Sequence, residues 1–146
     1  MLSRRLLMKR NGKCSVNKYL LDTHILLWSL LEPDRLSSKV AVVLEDINNE
    51  LWLSPITSWE IIVLAEKGRI KLDDKPVPWL RNVLQTLPFW QANMTHEVAM
   101  ESRMLQLSHQ DPADRFIAAS AVVYGLTLIT SDNNLLQSDS YMVLKN

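Results

Sequence analysis

A chain of 146 residues with 47% hydrophobic content has the size and apolar fraction of one compact globular domain. No apolar run reaches bilayer length, and the Leu6, Leu7, Met8 cluster is too short and too closely flanked by arginine and lysine to be a signal-peptide core, so a cytoplasmic protein without a membrane span is expected. The lone Cys14 excludes an internal disulfide and a cysteine-rich zinc site, while the formal net charge of zero hides an asymmetry: six of the 16 basic residues precede Tyr19 and no acid does.

That basic arm, residues 1–16, lacks apolar periodicity and is placed outside the fold, leaving 17–146 as the domain. A basic arm on an acidic body suits nucleic acid, and equally suits a solvated tail or an early start codon. Within the domain the chain alternates in type. "KYLLD" reads as a strand and "THILLWSLL" as a helix; "LSSKVAVVLEDIN" reads as a second helix capped near Ser37 or Ser38. "ELWLSP" is a strand ending at Pro55, and "TSWEIIVLAEKG" a helix stopped by Gly68. A helix at "PWLRNVLQTL", a strand at "PFWQAN" and a helix over 95–105 follow. "DPADRFIAASAVVYG" gives a helix closed by Gly125, "LTLIT" a strand, "DNNLLQ" a short helix and "YMVL" a last edge strand. Such alternation implies an α/β fold: an open, mostly parallel central sheet flanked by helices on both faces.

Ligands bind such sheets at the carboxyl ends of the strands. Acids stand there. Asp22 ends "YLLD", Asp132 ends "LITSD", and Glu60 and Asp114 fall in the first turns of helices that follow other predicted strands. Each acid also has a structural role open to it. Thr57 with Glu60 matches the capping box, Asp111 before Pro112 is an N-cap with Asp114 at the third helical position, and Asp22 and Asp132 suit the caps of the helices after them. Capping, however, accepts serine, threonine or asparagine equally well, whereas acids occupy all four places. Convergent carboxylates repel one another, raising each other's pKa or requiring a cation, and an all-oxygen cluster suits magnesium or manganese. Metal-assisted phosphodiester hydrolysis is therefore the leading chemistry.

Other chemistries lack support. With only Gly12, Gly68 and Gly125 there is no glycine-rich phosphate loop, His24, His96 and His109 lack zinc spacing, and no nucleophile elbow is present. His24 is the histidine near the acids and is read as packed or surface-lying. Lys67, Arg69, Lys71 and Arg81 are placed to edge a cleft and bind phosphates, or to serve solubility. Trp52 is expected in the core, and Trp28 and Trp59 in the core or a dimer interface, with stacking on an RNA base or anchoring a partner peptide as the alternative for both.

The stretches "YLLDTHILLW", "SPITSWEI" and "DPADRFIAASAVVYGLTLITSD", in that order, resemble the PIN-domain ribonucleases, specifically the VapC-type toxins of toxin-antitoxin pairs. The resemblance runs from Lys18 to Leu144. It implies a three-layer α/β fold, Mg2+- or Mn2+-dependent endoribonuclease activity, frequent homodimers and a VapB-like antitoxin partner. It places the catalytic and metal-binding acids at Asp22, Glu60, Asp114 and Asp132, with Thr23 and Arg115 as supporting positions. The departure is the N-terminal extension of about sixteen residues before the first strand. A DNA-directed nuclease with the same metal site, and a non-catalytic nucleic-acid-binding module whose acids are caps, are the rival readings.

Overall fold

A computed structural model describes residues 16–108 and 110–146; the basic arm, Cys14 and His109 lie outside the described residues. From the first described element onward, β1 (Lys18–Leu21) leads into α1 (Thr23–Leu31), a 3-10 turn (Pro33–Arg35) and α2 (Ser38–Glu45). Then come β2 (Glu50–Leu53), α3 (Pro55–Glu66), α4 (Pro76–Thr86), β3 (Trp90–Gln91) and α5 (His96–Met104). The described chain closes with α6 (Pro112–Tyr124), β4 (Thr127–Thr130), α7 (Asn133–Leu136) and β5 (Val143–Lys145). Element type and order agree with the sequence reading throughout.

The five strands form one sheet in the order β3-β2-β1-β4-β5, and every pairing is parallel. β1 lies at the centre, with β5 at one edge as expected. The chain builds outward from β1 to β3, then returns to the other side for β4 and β5. That reversal beside β1 opens a crevice at the carboxyl ends of β1 and β4.

Side chains of a strand alternate between faces, and here the alternation divides two cores. Leu21 and Ile129 face α1 and α2 and pack with Ile25, Leu26, Val40 and Leu44. Their neighbours Leu20 and Leu128 face the opposite way, toward Val98 of α5 and Ile117 and Ala118 of α6. Both faces of the sheet are covered, which makes three layers. Trp52 is half-buried rather than central: its ring stacks on Trp90 at 5.7 Å and meets Tyr124 at 5.6 Å.

Local chemistry sets the helix starts. Ser37 Oγ accepts from Val40 N, Thr95 Oγ1 from Val98 N, and Asp111 Oδ1 from Ala113 N, with Pro112 at the first helical position. Gly125 ends α6 in the left-handed region at φ 62°, where a side chain would be strained. The capping box that Thr57 and Glu60 match in sequence does not form. Pro55 has no N–H to lose and a φ suited to the first helical position, so α3 begins there, with Ser54 Oγ accepting from Ile56 N at 3.2 Å. Thr57 is thereby drawn inside the helix, and Glu60 falls in its second turn rather than its first.

Arg115 joins α6 to the end of α5. Buried to 4% exposure, its guanidinium donates to the carbonyls of Ser102 at 2.7 Å, Leu105 at 2.9 Å and Leu107 at 3.0 Å. Ser102 lies in the last turn of α5, where carbonyls lack helical partners, Leu105 caps the helix and also accepts from Leu107 N at 3.0 Å, and Leu107 follows in the loop. Arg115→Met keeps the apolar stem and strands the Ser102 and Leu107 carbonyls, so urea unfolding should show a loss on the order of 3 kcal/mol, with Arg115→Lys recovering only part because an ammonium cannot reach three acceptors at once.

Candidate metal centre

Asp22 stands where β1 becomes α1. Its N–H continues the sheet ladder to Ile129 O at 3.0 Å, which locks the residue to the end of β4. Its Oδ1 accepts from Thr23 N at 2.8 Å and its Oδ2 from Thr130 Oγ1 at 2.7 Å. Thr130 is fully buried, and its oxygen in turn accepts from Asp132 N at 3.0 Å. The side chain caps α1, as one reading of the sequence had it, and the same geometry fixes the carboxylate.

Glu60 comes from α3, on the other side of α1. The Thr23 hydroxyl donates to Glu60 Oε1 at 2.7 Å and lies 3.3 Å from Thr57 Oγ1. Asp114 enters from the first turn of α6, where its own N–H donates to Asp111 Oδ1 at 3.2 Å. Asp22, Glu60 and Asp114 offer carboxylate oxygens that all lie within 4.8 Å of one another. Asp132 is not in this trio: its Oδ1 accepts from Asn134 N at 2.8 Å, capping α7. Its charge nonetheless acts on Asp22.

Burial and repulsion mark Asp22 and Glu60. Desolvation raises the Asp22 carboxyl above its ordinary range, opposed by the hydrogen bonds from Thr130 and Thr23. Glu60 is pushed up to about 7, first by desolvation and then by the charges of Asp22, Asp114 and Asp111, against the lowering effect of the Thr23 hydroxyl. The negative field extends to Tyr141, raised to about 12 by burial and by Asp114, Asp132 and Asp22. Three oxygen donors from separate elements, mutually repelling and partly desolvated, fit a hard divalent cation such as magnesium or manganese.

Beside the trio lies a cleft of about 480 Å³ between α3 and α6, its walls including Glu60, Trp59, Val63, Leu64, Phe116 and Arg69. Trp59 is 56% exposed on this wall, so it is not a core residue, whereas Trp28 is half-buried against the first core. Of the four basic residues proposed to edge a cleft, Lys67 and Arg69 line this one, Lys71 lines a second hollow on α1, and Arg81 lines neither. Thr130 was not singled out in the sequence. A threonine closing a strand parallel to the one that ends in Asp22 is the signal that would have found it.

The PIN domain family profile matches residues 19–139. Ribonuclease VapC22 of Mycobacterium tuberculosis is 35% identical over 117 residues, covering 80% of this chain and 88% of that protein. Among solved structures, VapBC2 from Rickettsia felis bound to a promoter DNA fragment superposes with a TM-score of 0.65 at 17% identity, over 88% of this chain and 98% of that one. DNA-bound VapBC from Salmonella typhimurium gives 0.65 at 16% identity, over 89% and 98%. A toxin-antitoxin complex from Klebsiella pneumoniae gives 0.58 at 24% identity, over 86% and 95%. These structural likenesses establish the fold.

Two measurements follow from the geometry. A carboxyl whose folded pKa is raised holds its proton after the unfolded chain has released it, so its contribution to stability is full below the unfolded value and is lost as pH rises through the folded one. The metal-free protein should therefore lose stability between pH 4.5 and about 7, and Glu60→Gln should flatten that slope in urea titrations. Asp111 and Asp114 should separate. Asp111→Ala removes a cap and should cost on the order of 1 kcal/mol with a modest loss of activity per folded molecule. Asp114→Asn relieves repulsion, leaving the metal-free protein as stable or slightly more so, while RNA cleavage collapses and magnesium raises Tm less than in the parent. An inactive Asp111→Ala beside an active Asp114→Asn would place the third acid wrongly.

Proposed function

The chain belongs to the PIN-domain family, and on that premise we propose that it is a metal-dependent endoribonuclease acting as the toxin of a toxin-antitoxin pair. The observation that carries the reading is the convergence of Asp22, Glu60 and Asp114 within 4.8 Å, in a chain 35% identical to a named ribonuclease. These three acids would hold Mg2+ or Mn2+; Asp132, capping α7, adds its charge at longer range as the fourth acid. When bound, the ion supplies charge neutralisation and Lewis acidity for attack of water on phosphorus, with departure of the ribose oxygen.

The chain's own residues prepare that chemistry. Thr130 and the Thr23 amide hold both oxygens of Asp22 in place, so the anchoring acid cannot rotate away. The Thr23 hydroxyl orients Glu60, whose pKa of about 7 leaves it roughly half protonated at neutral pH, so metal binding would be coupled to proton release. Arg115 supports the site from below, because its hold on the end of α5 steadies the helix that carries Asp114. Thr23 thus touches two acids directly, and Arg115 acts as a positioning residue.

The structural neighbours were solved as VapBC pairs and as a toxin-antitoxin complex, which supports a VapB-like antitoxin as partner. The cleft beside the trio suits a segment of that partner: its Val63, Leu64 and Phe116 walls accept apolar side chains, and an arginine would reach the carboxylates. A homodimer belongs to the proposal on the family resemblance. No helix among the described residues is long and apolar enough to cross a membrane.

A homogeneous preparation should cut RNA, and not DNA oligonucleotides assayed in parallel, only with magnesium or manganese present. Excess EDTA should abolish cleavage, and the product of an adjacent antitoxin frame, co-expressed, should co-purify and inhibit. Undiminished cleavage in EDTA would falsify the metal mechanism, whereas an inert partner would remove the toxin-antitoxin reading and leave the nuclease.

A further inference from the structure

We propose that the hollow on the outer face of α1 is an RNA-strand subsite that holds a nucleotide flanking the scissile phosphate; the inference rests on the nuclease reading above. The hollow measures about 410 Å³, and its lining includes His24, Trp28, Glu32, Arg35, Arg69 and Lys71. Three things point to a nucleic acid strand there: where the hollow lies, its charge and its aromatic floor.

Arg69 belongs to the wall of both this hollow and the cleft that contains Glu60, so the two spaces adjoin across one side chain. Gly68, at φ 67°, turns the chain sharply at the end of α3, and Arg69 N donates to Leu64 O at 2.9 Å, which fixes the arginine at this junction. On the opposite wall His24 directly follows Thr23, the residue that binds Asp22 and Glu60. A strand lying in the hollow is therefore one short step from the acids.

A polyanion approaching a cluster of carboxylates is repelled unless cations flank its path. Arg35, Arg69 and Lys71 supply them, against the single acid Glu32, which pairs with Arg35 at 3.4 Å. The floor is aromatic. Trp28 packs against the core, which makes its indole a fixed plate; the Arg35 guanidinium stands 4.3 Å over it and the His24 ring meets it at 5.8 Å. The Arg35 side chain is 55% exposed, so a base can extend the stack on its outer side while its phosphates reach Lys71 and Arg69. A charged and aromatic lining of this kind suits a nucleotide better than an apolar peptide. The peptide's place is the Val63, Leu64 and Phe116 cleft on the far side of Arg69.

The experiment uses the full chain with a random-sequence single-stranded RNA pool in magnesium. Arg35→Ala, Arg69→Ala and Lys71→Ala are combined, since all three side chains are exposed and their removal leaves both cores untouched. The triple variant should raise KM for RNA by roughly tenfold or more, with the effect falling on KM rather than kcat. In fluorescence anisotropy the slope of log affinity against log salt should fall by about 0.7 for each phosphate that no longer meets a cationic side chain. Trp28→Leu, which keeps apolar packing and removes the plate, should weaken binding without changing the salt slope. A parent that cleaves RNA, beside a triple variant with unchanged KM and salt slope, overturns the subsite and leaves the nuclease standing. Normal RNA kinetics with antitoxin capture impaired by Arg35→Ala and Lys71→Ala alone, which do not line the apolar cleft, would assign the hollow to the protein partner, which also overturns it. A parent that cleaves no RNA in either metal takes down the nuclease reading and the subsite together.

Discussion

One threonine binds two of the three converging acids, and the site depends on that arrangement. Thr23 gives its N–H to Asp22 and its hydroxyl to Glu60, at 2.8 and 2.7 Å, so carboxylates from β1 and α3 are tied through a single residue. Carboxylates held this close cost free energy unless a proton or a cation compensates. Helices α1, α3 and α6 all start at this sheet edge, and their packing holds the acids where free chains would separate them. A cation bound there would add its binding energy to the stability of the edge itself.

The fold was legible because both sheet faces are buried. Adjacent residues such as Leu20 and Leu21 serve opposite cores, which produces short continuous apolar runs, and between them lie helices with clear caps and the stop glycines Gly68 and Gly125. Three of the acids were legible for a related reason, since Asp22, Glu60 and Asp132 lie at or soon after a strand end, whereas Asp114 stands in the first turn of α6, behind α5. What periodicity could not reveal was rotation about the helix axis. Thr57 and Glu60 carry the spacing of a capping box, yet Pro55 starts α3 early and turns both side chains toward Thr23. Asp132 shows the converse: like Asp22 it follows a strand and caps the next helix, yet only Asp22 has its carboxylate brought together with Glu60 and Asp114. Thr130 went unread because a buried hydroxyl at a strand end looks, in sequence, like any β-branched strand residue.

Around the acids the surface divides by chemistry. Toward α6 the wall is apolar, with Val63, Leu64 and Phe116; toward α1 it is cationic and aromatic, with Arg35, Lys71 and Trp28. Arg69 is common to both. A protein segment and a nucleic acid strand would approach the same carboxylates from different sides, and would compete there through charge rather than through overlap along their whole length.

The Asp22–Thr130 hydrogen bond joins residues 108 positions apart in the chain. A ribosome adds residues from the amino end, so Asp22, Thr23 and Glu60 emerge well before β4, the strand that fixes Asp22, exists at all. Until then β1 has neither its neighbour on that side nor the hydroxyl that holds its carboxylate, and the acid edge cannot assemble. The acid edge therefore forms only when synthesis of the chain is nearly finished.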